Sequence, residues 1–182
     1  IGDYNMNLMA FFTPGQRANA PTFFAGLLTL GILDAVRIWA LQQELPFEGV
    51  AAVIVTFGSL FVMVLFVLFL FMNRRRDAER GTGLAFLPVL ASLAIKGIAV
   101  FAIITVLSMG LMGEFAESQG QDMMTAAQDP AFNAQFQAWI EADPERQSSI
   151  AAATLAPAFL GFWIPLALFG LWFGSMKPEV AE

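Results

Sequence analysis

Few residues in this sequence of 182 can do chemistry in an apolar setting, and they fall in two groups. Asp34 and Arg37 stand one helical turn apart in TFFAGLLTLGILDAVRIWA, and Lys96 interrupts LAFLPVLASLAIKGIAVFAIITVLSMGLM. Charges at such places are costly, so they pair with one another or line an ion or proton pathway. The second group is MNRRRDAERGTG, residues 72–83, which holds Arg74, Arg75, Arg76 and Arg80, four of the nine basic residues. Such a cluster either binds an anion or anchors one end of a span against anionic head groups, at about 1 kcal/mol per residue. GTG is too short for a nucleotide loop, so the anchor is the expected reading, with Arg17 on the same side. The sequence has no cysteine and no histidine, which excludes disulfides and thiolate or imidazole chemistry, and no cofactor or metal is expected.

The elements that must position these residues are long apolar helices. Hydrophobic residues make up 58% of the chain and charged residues 13%, about half the share found in soluble domains. A bilayer core of ~30 Å needs about 20 helical residues. Residues 22–40, 49–72, 84–112 and 150–176 meet that length, and none alternates as a barrel strand would. The expected fold is an all-α membrane protein, a four-transmembrane-helix antiparallel bundle forming a single domain over 1–182. Pro157 and Pro165 should kink the fourth span unless neighbouring helices satisfy the freed carbonyls. No basic n-region precedes a short apolar core, so a cleaved signal peptide is not expected.

Lysine and arginine fall on one side of these spans. The loop after the second span carries four arginines and the QQELPFEG connection carries none, which places the arginine loop and both termini in the cytoplasm. Residues 113–149 are then extracytoplasmic. They hold seven acidic residues against Arg146, the main source of the net charge of −6, and no nucleic-acid partner is expected. Within them DPAFNAQFQAWIEADP reads as a short amphipathic helix, with Asp129 as cap, Pro130 in the first turn and Pro144 as stop. Phe132, Phe136, Trp139 and Ile140 share one face, which either covers the bundle or docks a partner.

Depth can be counted along spans one and three, which run in the same direction. Asp34 lies twelve residues beyond Thr22 and Lys96 twelve beyond Leu84. Each is therefore roughly 18 Å in, near the midplane. An Asp34–Lys96 pair across the two helices is the expectation. The rival is local: Arg37 satisfies Asp34 at i,i+3, and Lys96 finds backbone carbonyls or a partner subunit.

Two stretches together resemble the bacterial inner-membrane family catalogued as domain of unknown function 805. In FFTPGQRANAPTFF, Arg17, Asn19, Phe23 and Phe24 match its opening signature, while Gln16 replaces a glycine and Ala20 an arginine. In RRRDAERGTG, Arg74, Asp77 and Arg80 match its second signature, while Arg76 stands at a histidine and Glu79 at a glycine. The resemblance covers roughly residues 11–100. It implies a small multi-span protein of the cytoplasmic membrane and no reaction, and it suggests that Arg17 approaches the Arg74–Arg80 loop.

Three functions compete. An accessory subunit of a larger inner-membrane complex, respiratory or photosynthetic, needs only lipids and partner subunits. A small transporter or ion pathway would use Asp34, Arg37 and Lys96, although no inverted repeat accompanies them. A membrane enzyme is the least supported, because no nucleophile–base pair or paired intramembrane carboxylates are present.

Overall fold

A computed structural model describes residues 8–43 and 49–177, and all regular structure among them is helical. The helices are α1 (Ala20–Gln42), α2 (Gly49–Asp77), α3 (Phe86–Ser118), α4 (Met123–Ala126), α5 (Pro130–Glu141) and α6 (Pro144–Gly174). Short 3-10 turns at Leu8–Phe11 and Thr82–Ala85 precede α1 and α3. Four helical stretches, Ala20–Leu41, Val50–Asp77, Thr82–Ser118 and Pro144–Gly174, are long and apolar enough to cross a membrane. The chain is a multi-pass helical membrane protein.

Several boundaries differ from those expected, for local reasons. The second span does not stop at residue 72: α2 continues through all three adjacent arginines, whose positive charge suits a helix C-terminus. α3 takes the first six residues of the acidic segment. α6 begins at Pro144, because the Asp143 carboxylate accepts from the backbone N–H of Glu145 at 2.9 Å and so caps the new helix. Pro157 and Pro165 lie within this unbroken helix. Most of the QQELPFEG connection falls on residues 44–48, outside those described.

The chain divides into two compact units, Ile1–Ala94 with Phe162–Glu182, and Ile95–Gly161. In the first unit, Asn19 opens α1 by accepting from Thr22 N–H at 2.9 Å. Phe23 of α1, Phe71 of α2 and Phe173 of α6 stack edge to face, with centroids 5.1 and 5.0 Å apart. All three rings are fully buried, and each pair adds about 0.5–1.5 kcal/mol beyond area burial. α6 reaches this position because Gly170 and Gly174 face α1: a Cβ there would come within 2.6 Å of Leu27 and 2.2 Å of Phe24. Such small residues let helices approach where lipid removes the hydrophobic drive to associate. The core is concentrated at the arginine end, since no described residue between 35 and 62 is buried.

In the second unit α5 closes on the end of α3. Asp129 caps it by accepting from Ala131 N–H at 2.8 Å, and Pro130 occupies its first turn. Phe132 and Phe136 are buried against Phe115, whose ring lies 5.1 and 5.9 Å from theirs. Trp139 and Ile140 pack at the margin of the same cluster. The expected apolar face is present and buried within the chain, so Phe132 and Phe136 are closed to a partner. Arg146 stacks 3.5 Å from the Trp139 ring and pairs with Asp143 at 3.2 Å, which joins α5 to α6.

Candidate functional site

The arginine turn is a site built from backbone, not a loop. Asn73, the residue before the arginines, is 1% exposed. Its amide donates to the carbonyls of Ala10 at 3.0 Å and Thr13 at 2.7 Å, and its oxygen accepts from Gly15 N–H at 3.1 Å. The Asn73 carbonyl accepts from Ala18 N–H at 3.2 Å. Gly15 has φ +92, and a Cβ on it would come 3.1 Å from Arg76 Nη1, so this turn needs glycine. Asn73 thus sews FFTPGQRA to the end of α2. The two stretches that carry the family resemblance do meet, and Arg17 reaches Glu79 at 3.7 Å.

Arg74 has a different task from the expected lipid anchor. It is 4% exposed, and its guanidinium donates to the carbonyls of Phe173 at 3.0 Å, Gly174 at 2.9 Å, Ala18 at 3.5 Å and Met176. Asp77, one turn on, completes the set at 2.7 Å. The last carbonyls of a helix have no partner within it. Arg74 supplies one for the end of α6, and its planar fork can serve several acceptors at once. Arg75 is also buried: its Nε donates to Gly81 O, and its guanidinium carbon lies 5.7 Å from the Phe173 ring centroid. The anchor assignment is therefore corrected for Arg74, whose side chain is drawn into the protein by the carbonyls that end α6. Arg17, Arg76 and Arg80 are exposed.

The turn that ends α2 is a Schellman motif. Arg80 N–H reaches Arg75 O at 2.9 Å and Glu79 N–H reaches Arg76 O at 3.1 Å. Glu79 at its C′ position has φ 57, the left-handed conformation that glycine adopts freely. This is the position at which the family resemblance expects glycine. We expect Glu79→Gly to stabilise the protein by about 1 kcal/mol, since relief of the left-handed side chain outweighs an exposed ion pair. Thermal unfolding in detergent should show a midpoint about 2–4 °C higher; a lower midpoint would mean that the Arg17–Glu79 contact matters more than the backbone.

Within the membrane, Asp34 is completely buried and takes both its donors from the first unit. Arg37 Nε donates to Oδ1 at 2.7 Å and Trp163 Nε1 donates to Oδ2 at 2.8 Å. Arg37 Nη1 also lies 3.5 Å from Ser59 Oγ on α2. The local Asp34–Arg37 arrangement is thus present, and α6 adds a donor that the sequence reading missed. Lys96 belongs to the second unit, where its backbone crosses Gly161 so closely that a Cβ would come 3.0 Å from Lys96 Cα.

Two residues went unread in the sequence. Asn73 carried a signal, as a lone amide closing a charge-free apolar run, where an amide must find partners. Trp163 carried none, because tryptophan in a span reads as an interface residue.

These features define a class, the multi-pass helical membrane proteins. No family model, no curated protein and no solved structure matches the chain.

Proposed function

We propose that this chain is a non-catalytic accessory subunit of a larger bacterial inner-membrane complex, respiratory or photosynthetic, with its arginine turn and both termini in the cytoplasm. The observation that carries this reading is how the polar groups are used. Asp34, Arg37, Asn73 and Arg74 are all engaged in joining one helix or turn to another. The flanks of the spans, by contrast, present large apolar side chains such as Phe57, Phe61 and Phe101, each more than 60% exposed. Such flanks suit lipid and neighbouring subunits. Purification in mild detergent tests it: the expected result is stoichiometric recovery with the named subunits of one such complex, and recovery of the chain alone from intact membranes would contradict it.

Orientation is tested separately. A cysteine at Ser118 should react with an impermeant thiol reagent in spheroplasts, and one at Thr82 should not; the reverse pattern would overturn the topology. A second reading, a small transporter or ion pathway using Asp34, Arg37 and Lys96, draws on the burial of Asp34 beside Arg37. It requires ion or proton flux in reconstituted vesicles that Asp34→Asn abolishes.

A further inference from the structure

Of the five arginines gathered around the end of α2, two have carboxylate partners. Arg17 pairs with Glu79 and Arg74 with Asp77. Arg75, Arg76 and Arg80 form no ion pair among the described residues. Two of these three are brought together by the turn itself. The Schellman bond places Arg80 N–H on Arg75 O at 2.9 Å, and the Arg75 side chain folds back to donate Nε to the carbonyl of Gly81, the next residue. Arg75 is held from its other side by the Phe173 ring. Among the described residues its two terminal amino groups have no hydrogen-bond acceptor. Beyond Arg80 the surface is open, since a Cβ on Gly81 or Gly83 would meet nothing within 4 Å.

A guanidinium held on two sides, a second, exposed one in the same turn and, among the described residues, no carboxylate paired with either make a surface suited to an anion. We infer that Arg75 and Arg80 form a binding site for a phosphate group of net negative charge, one carrying no cation of its own, at the end of α2. Arg75 is the pre-positioned half, because packing on Phe173 and the bond to Gly81 have already removed its rotamer freedom. Arg80 closes on the ligand from solvent. Guanidinium forks match tetrahedral phosphate oxygens, and charge-assisted hydrogen bonds of this kind are about twice as strong as neutral ones. The location selects the source. The apolar run of α2 ends at Met72, so a group at Arg75 and Arg80 lies at head-group height, where a phospholipid phosphate is always present. A soluble phosphate compound offers the same chemistry, and the experiment separates the two.

The purified chain in neutral detergent is titrated with phosphatidylglycerol or phosphatidylcholine, and bound lipids are counted by native mass spectrometry. The expected result is one phosphatidylglycerol retained about tenfold more strongly than phosphatidylcholine, a preference that Arg80→Gln removes. Arg17→Gln removes the same formal charge from a neighbouring exposed site and should leave the preference intact. Arg80 is exposed and its side chain forms no hydrogen bond or ion pair among the described residues, so its variant is expected to fold whatever becomes of Arg75→Gln. Parallel titrations use inorganic phosphate and pyrophosphate. Displacement of the lipid by either at millimolar concentration assigns the site to a soluble phosphate; retention against both assigns it to the lipid. Equal retention of the two lipids with no effect of either phosphate overturns the site. An equal loss in Arg80→Gln and Arg17→Gln also overturns it, leaving only a diffuse positive surface.

Discussion

Replacing Arg74 with Gln should lower stability by about 3 kcal/mol, the low end of the range for breaking a buried ion pair. The low end is chosen because Asp77, its carboxylate partner, has a side chain 23% exposed and regains some hydration. The loss has two parts. Asp77 keeps a charge with no partner, and the carbonyls of Phe173, Gly174 and Met176 lose their only described side-chain donor. Those carbonyls end α6 beside the Phe23–Phe71–Phe173 stack, so the stack loosens with them. At about 2–4 °C per kcal/mol for a chain of this size, the unfolding midpoint should fall by about 10 °C. Arg74→Lys should recover less than half of that, because one ammonium cannot reproduce a fork that serves several acceptors in different directions. Circular dichroism through thermal unfolding in detergent measures both. A midpoint within 2 °C of the parent for Arg74→Gln would show that the carbonyls find other partners.

Nothing in the residue types separated this role from a membrane anchor. A run of arginines closing an apolar helix has the same composition in both cases. What distinguishes them is the position of acceptors about a hundred residues away in the chain, at the end of a helix whose own last residue was uncertain by several positions. The α5 helix lay at the other extreme. Its cap, its first-turn proline and its i, i+4, i+7 aromatic face are all local signals, and each appears where the spacing placed it. The four spans were legible for the same reason, since length and apolarity are properties of the segment alone. Their ends were not, because α2 runs on through its charged turn and α6 starts early at the Asp143 cap. At Asp34 the sequence offered two partners, Arg37 and Lys96. It could not offer Trp163, 129 residues away, whose N–H makes the local arrangement sufficient for both carboxylate oxygens.

That arrangement supports the largest expected coupling in the protein. Asp34→Leu leaves the Arg37 guanidinium without its carboxylate and the Trp163 N–H without an acceptor, at a depth where water does not replace either. The expected loss is about 3–5 kcal/mol. Arg37→Met strands Asp34 instead, with Trp163 as its remaining donor, and should cost somewhat less. With both replaced, neither charge of the pair is left without the other and only the Trp163 N–H is orphaned, at about 1 kcal/mol. If the intramembrane charges exist to clasp α1 against α2 and α6, the two singles must therefore be much worse than the double. A transport role places no such condition on stability. The direct measurement is a double-mutant cycle of thermal unfolding in one detergent, over the parent, Asp34→Leu, Arg37→Met and the combined variant. The clasp predicts a combined variant within about 1 kcal/mol of the parent and a coupling of at least 2 kcal/mol. A combined variant as unstable as the sum of the singles would contradict it.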